Sequence, residues 1–111
     1  MSMNVKELSQ EPFLTPLSLP HPEKEVTGGY TGDLLSWVMS KARAGDCWIT
    51  IMSNLNVAAV ATLTDIACII LAENVQMEEQ VRQISFEKGV NILSSPLPTF
   101  DLCQKLGALL Q

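Results

Sequence analysis

Apolar residues in this chain fall into two kinds of run: short, almost unbroken segments, and longer stretches where they recur every three or four positions. The clearest short run is Cys47-Trp-Ile-Thr-Ile-Met52, rich in β-branched and aromatic residues and bounded by turn formers. Cys47, Ile49 and Ile51 fall on one face and Trp48, Thr50 and Met52 on the other. Both sets are largely apolar, which predicts a central strand covered on two sides. Residues 66–71 and 90–93 repeat the pattern and predict two more buried strands. Between them the period changes. Residues 33–44 form the longest amphipathic run, and Gly45 supplies a C-terminal cap. Residues 57–64, with Asn56 as N-cap, are apolar nearly all round, so a helix there packs closely on both sides. A third helix over residues 77–88 turns Met77, Val81 and Ile84 inward and stops at Gly89. In a last helix from Thr99, Phe100, Cys103, Leu106 and Leu110 recur at helical spacing, interrupted by Gly107. Strands alternating with helices predict an α/β fold: a three-layer α/β/α sandwich whose mainly parallel sheet has about five strands, joined by right-handed crossovers.

The N-terminal stretch reads differently. Pro12, Pro16, Pro20 and Pro22 limit it to one helical turn at residues 4–8 and a short edge strand near residues 13–17. It is expected to be an arm, residues 1–23, ahead of a domain spanning residues 24–111 that opens with a short strand at residues 24–27. In the helix over residues 33–44 the apolar arc spans roughly 200°, about twice what a one-sided surface helix needs. Either a second element of the same chain covers its flanks or another subunit does; Leu35, Trp37 and Met39 are the expected homodimer interface, tryptophan being among the residue types most enriched at interface hot spots.

Composition narrows the partners. A net charge of −5 with no Lys/Arg cluster argues against nucleic acid and anionic membranes. No apolar run reaches membrane-spanning length and no signal-like start is seen, so the cytoplasm is the expected compartment. Cys47, Cys68 and Cys103 each sit in an apolar run and read as buried, unreactive free thiols; no metal site is expected. His21, the only histidine, lies between two prolines in a loop and has no catalytic partner in the sequence.

Phosphate-binding Gly-x4-Gly-Lys-Ser/Thr and dinucleotide Gly-x-Gly-x-x-Gly patterns are absent, as is a Gly-x-Ser-x-Gly elbow. Asp33, Asp46, Asp65 and Asp101 sit near element ends, where carboxylates cap helices and turns. No catalytic residue and no cofactor is therefore assigned. The stretch that stands out is Glu25-Val-Thr-Gly-Gly-Tyr-Thr-Gly-Asp33. Its glycines fit a tight strand-to-helix turn. A sharper alternative is a nest of free amides over Thr27, Gly28, Gly29, Tyr30, Thr31 and Gly32 that takes an anion at a helix N-terminus. A second candidate is the rim at the carboxyl ends of the strands, where Ser53, Asn54, Glu73, Asn74, Ser94 and Ser95 would converge; it offers short polar groups suited to binding rather than catalysis.

Glu-Val-Thr-Gly-Gly-Tyr, then Asp-Leu-Leu-Ser-Trp-Val-Met, Asp-Cys-Trp-Ile-Thr-Ile, Asp-Ile-Ala-Cys-Ile-Ile-Leu and Ser-Ser-Pro-Leu-Pro-Thr-Phe follow in order across residues 24–110. Together they resemble the DRTGG domain family. Thr27, Gly28 and Gly29 match its name motif, while Glu25 and Val26 stand where that motif has Asp and Arg. Similar domains occur beside CBS domains, in some phosphotransacetylases and at the N-terminus of HPr kinase/phosphorylase. Some stand-alone bacterial versions are encoded beside genes for iron-only hydrogenases and sensor kinases. The resemblance implies an α/β/α fold, dimerisation and a non-enzymatic regulatory or protein-interaction module, sensing a small phosphate-bearing or nucleotide ligand and partnering a metabolic or signalling enzyme. The alternatives are an enzyme acting on a phosphorylated metabolite, and a purely structural partner subunit.

Overall fold

The computed structural model describes residues 2–111. In chain order its elements are β1 (Met3–Asn4), α1 (Val5–Leu8), β2 (Thr15–Ser18), β3 (Glu25–Val26), β4 (Gly28–Thr31), α2 (Leu35–Lys41), β5 (Asp46–Thr50), α3 (Asn56–Thr64), β6 (Cys68–Leu71), α4 (Glu79–Glu87), β7 (Ile92–Ser94) and α5 (Thr99–Leu109). Five strands form the main sheet in the order β2-β7-β6-β5-β4, and β1 pairs with β3 in a separate two-stranded ribbon. The four strands β4 to β7 are parallel, and β2 runs antiparallel to β7 at one edge.

The apolar runs lie where their composition sends them. Every residue of β5 and of β6 is buried, because each has a strand on either side and helices on both faces. The pleat divides their side chains between two cores. Cys47, Ile49, Cys68, Ile70 and Leu93 face one core, closed by Val5 and Leu8 of α1 and by Leu102 and Leu106 of α5. Trp48, Ile69, Leu71 and Ile92 face the other, closed by Val38 of α2 and by Val57, Ala58, Val60 and Ala61 of α3. Trp48 is fully buried, and its indole N–H donates to the Gly32 carbonyl at 2.9 Å. The result is the expected α/β/α sandwich.

The N-terminal stretch is built into this sandwich rather than lying ahead of it. Val5, Leu8 and Leu14 belong to the first core, and β2, with Pro16 inside it, supplies the antiparallel edge strand. A capping box fixes the short α1: Asn4 accepts from the Glu7 amide at 2.8 Å, and Glu7 accepts in return from the Asn4 amide at 3.0 Å.

Several expectations need correction. Residues 28–31 form a strand and not a turn. The helix after them is shorter than expected, Leu35–Lys41, and Asp33 does not cap it. Asp33 Oδ1 instead accepts from Thr50 Oγ1 at 2.7 Å and from the Ile51 amide at 3.0 Å, tying the ends of β4 and β5 together. Gly45 does not close α2, which ends on Ala42 in an extended conformation; Gly45 has φ +87° and turns the chain into β5. Asn56 lies inside α3, and Asn54 Oδ1 accepts its amide. Only one side of α3 is covered, since Ala59, Thr62 and Leu63 are exposed. On α5 the inward face carries Leu102 and Leu106, whereas Phe100 is 72% exposed and Cys103 is also exposed. Residues 100, 103, 106 and 110 do not share one buried face; Leu102 and Leu106, four apart, are the pair that meets the sheet.

Candidate functional site

The glycine-rich stretch becomes β4, an edge strand in parallel register with β5: Gly28 opposite Asp46, Gly29 opposite Cys47, Tyr30 opposite Trp48 and Thr31 opposite Ile49. This removes the expected nest. The Thr27 amide donates to the Gly45 carbonyl at 2.9 Å and the Gly32 amide to the Ile49 carbonyl at 3.2 Å, so both are consumed by β5 and its approach. Gly28, Gly29 and Gly32 do not have positive φ. Gly28 serves close approach instead. A Cβ on Gly28 would stand 3.0 Å from Asp46 Oδ1, tighter than side chains normally tolerate.

A different source of positive charge meets these residues. A groove of about 550 Å³ runs beside β4, lined by Thr27, Gly28, Gly29 and Tyr30 together with Lys41, Arg43, Ala44 and Asp46. Lys41 is the last residue of α2, where a cation suits the helix C-terminus. Its ammonium lies 5.5 Å from the Trp37 ring centroid. The loop beyond is held by Asp46, which is buried; its Oδ2 accepts from the Arg43 amide at 2.8 Å, leaving the guanidinium out of that bond. Among the described residues neither Lys41 nor Arg43 forms an ion pair. Sequence reasoning missed both cations, because they stand apart from the glycine stretch and only the β4-α2-β5 crossover folds them back on it.

On the opposite face of β4 lies an apolar groove of about 410 Å³, lined by Gly29, Tyr30, Thr31 and Ile49 on the sheet and by Cys103, Leu106, Gly107 and Leu110 on the α5 side. A third cavity of about 290 Å³ opens near His21, Lys24, Asp65 and Lys88. There Lys24 Nζ is 2.8 Å from Asp65 Oδ1, and His21 Nδ1 is 3.4 Å from Glu23 Oε2. Its floor is Asn91, whose three hydrogen bonds hold the His21 loop to the sheet.

The rim residues are brought together only in part. The Glu73 amide donates to Leu97 O at 2.9 Å, the Asn74 amide to Ser95 O at 2.8 Å, and the Leu97 amide to Ser95 Oγ at 3.1 Å. These bonds stabilise two consecutive left-handed residues, Glu73 at φ 57° and Asn74 at φ 58°. Ser94 is spent in the ladder between β2 and β6, and Ser53 and Asn54 lead into α3. Strands β4 to β7 follow one another across the sheet without reversal, so the carboxyl ends lack the switch-point crevice that usually collects ligands. Of the expected interface residues, Leu35 packs against the second core, while Trp37 and Met39 are 57% and 48% exposed.

Cys68 Sγ stands 3.6 Å from Cys47 Sγ, both buried. That hydrogen bond, and burial after it, push the Cys68 thiol well above its ordinary pKa. Among the described residues no cluster of three or more His, Cys, Asp or Glu side chains converges as a metal site would, and no helix is long and apolar enough to cross a membrane.

The fold has a solved counterpart. The chain is similar, with a TM-score of 0.63, to the crystal structure of the CBS and DRTGG domains of the regulatory region of Clostridium perfringens pyrophosphatase, complexed with its activator diadenosine tetraphosphate. Its structural neighbour is a regulatory region. The match covers 82% of this chain and 40% of that one, so the chain spans well under half of the neighbour's length. At 9% identity the two share a fold. Neither protein-family models nor curated proteins give a match to the chain.

Proposed function

We propose that this protein is a non-enzymatic, ligand-sensing regulatory module, working as a homodimer and signalling to a metabolic or signalling enzyme. Its sensing surface is the groove beside β4, and its ligand is a small anion bearing phosphate, a nucleotide included. The observation that carries this is the meeting of Lys41 and Arg43 on the glycine-rich strand. Two cations without carboxylate partners, beside backbone that side chains do not cover, suit a multiply charged anion. They do so in a chain whose overall charge of −5 would otherwise repel one. The fold it shares with a regulatory region complexed with a nucleotide activator supports the same reading.

The test is thermal denaturation against a panel of inorganic phosphate, nucleoside mono-, di- and triphosphates and diadenosine tetraphosphate. A ligand at roughly 100 times its Kd stabilises by about 2.7 kcal/mol, a shift of several degrees for a domain of this size. The double variant Lys41→Glu, Arg43→Glu should keep the fold and lose the shift. No shift with any of these compounds, or an undiminished shift in the double variant, rules the groove out as the sensing surface.

A further inference from the structure

Asp46 is the buried charge of the groove beside β4, and only half of its carboxylate is occupied. The residue opens β5 and is 8% exposed. Oδ2 accepts from the Arg43 amide, while Oδ1 has no hydrogen-bond partner among the described residues. Among those residues no buried side-chain polar atom that is sealed from solvent lacks a partner, so Oδ1 is in contact with the groove that Asp46 lines. Neither Lys41 nor Arg43 neutralises it, since no ion pair joins them to it. A buried carboxylate held by one amide is costly, and capping that turn alone would be served as well by a neutral asparagine. The strand register shows what leaves Oδ1 open. Asp46 stands two residues before Trp48, on the α2 face of the sheet, and its partner on β4 is Gly28. A side chain on Gly28 would point to that same face, where its Cβ falls 3.0 Å from Oδ1. The first glycine of the stretch therefore uncovers the carboxylate.

We propose that Asp46 is the specificity-determining residue of this groove. Lys41 and Arg43 hold the phosphate, and Asp46 Oδ1 accepts from a hydroxyl of the same molecule. The ligand is then a phosphate ester of a hydroxyl-bearing sugar, ribonucleotides included, and not inorganic phosphate or polyphosphate. The chemistry of the three side chains carries this. An ionised carboxylate has lone pairs and no proton, so it repels a bare phosphate oxygen and favours an O–H or N–H donor. An ammonium donor is opposed by the two cations beside it, whereas a hydroxyl is neutral and meets no such repulsion. A hydrogen bond from a hydroxyl to a charged acceptor in a place that water reaches poorly raises affinity by about tenfold to a hundredfold. Two cations and one carboxylate thus select for what accompanies the phosphate as well as for its charge.

This role for Asp46 rests on the groove being the phosphate site proposed above, and the probes separate the two. Calorimetric titration compares ATP, 2′,3′-dideoxy-ATP and inorganic triphosphate, which share the charge and differ in sugar hydroxyls. Wild type should bind ATP about tenfold or more tighter than either of the others. Asp46→Asn keeps an oxygen for the Arg43 amide; it should lose most of that preference and yet bind inorganic triphosphate tighter, because a negative charge has gone. A merely structural role would not move the two ligands in opposite directions. Gly28→Ala gives a second variant that keeps the carboxylate. Gly28 does not have positive φ, so the backbone accepts alanine, and the added methyl group stands against Oδ1 and should also remove the preference. Equal binding of ATP and its dideoxy counterpart by the wild type, which needs no variant, overturns the role of Asp46 and leaves the phosphate site standing. So does a preference that survives in whichever of the two variants folds. No binding of any of the three overturns both.

Discussion

Asn91 offers the sharpest test of how this fold is held. Its side chain is 2% exposed and makes three hydrogen bonds that join the N-terminal loop to the sheet. Oδ1 accepts from the His21 amide at 3.0 Å; Nδ2 donates to the carbonyls of His21 at 2.8 Å and Ala67 at 2.9 Å. Asn91→Ala removes all three and strands partners that water reaches poorly. At about 1 kcal/mol net for each bond, and more where a group stays unsatisfied, the loss is about 3–5 kcal/mol, a large share of the ~5–15 kcal/mol holding a typical domain. Asn91→Asp keeps the shape but turns an oxygen toward two carbonyls. Burial and that repulsion raise the folded-state pKa of the new carboxyl above its unfolded value of about 3.9. Below that value both states are protonated and the variant is least harmed. As pH rises through the window between the two pKa values, stability falls by about 1.4 kcal/mol per unit and then levels off. Urea denaturation followed by the fluorescence of buried Trp48, at pH near 4 and near 7, reads both effects. An Asn91→Ala loss under about 1 kcal/mol, or an Asn91→Asp deficit that does not grow with pH, would show that the loop is not held this way.

Three further outcomes are expected. In the native protein only Cys103 should react quickly with a thiol reagent, with Cys47 and Cys68 waiting for unfolding; rapid reaction of two or three thiols contradicts the burial described. Gly45→Ala should destabilise by about 1–3 kcal/mol, from its positive φ and the collision of a Cβ with Thr27 Oγ1, while Gly107→Ala, with open space around it in α5, should stabilise by about 0.5–1 kcal/mol; melting curves of the pair decide. Trp37→Glu should weaken the dimer in sedimentation while shifting monomer stability by less than about 0.5 kcal/mol, as for a surface change, and a fully retained dimer removes α2 from the interface.

The sheet was legible because β5 and β6 are covered on both faces, which leaves an unbroken apolar signature that little else produces. The glycine stretch was not. Strand periodicity is carried by side chains, and Gly28 and Gly29 have none, so a strand there looks like a turn. On α5 the sequence holds two apolar sets, and the larger side chain misleads. Phe100 lies at the surface while Leu102 takes the core with Leu106, one turn on, so residue size does not select the face. Asp33 reads as a helix cap from its place before an amphipathic run, yet Thr50, far along the chain, captures it. The groove needed the most assembly. Its cations reach the glycine strand only through a crossover, and nothing in local spacing announces that.

The pairing of Thr15 with Ser94 also has a consequence for the order in which the chain can be made. Strands β4 to β7 appear from the ribosome in the order in which they sit side by side, so each can dock on its predecessor as it is synthesised. β2 cannot. It emerges early and has to wait for β7, across the long loop from Ser18 to Ile92, whose closure entropy is lost before any contact repays it. Val5, Leu8 and Leu14 wait with it for cover from α5. The nascent protein therefore passes through its longest interval with these apolar side chains still in water, which is when chaperone capture or misassociation would find it.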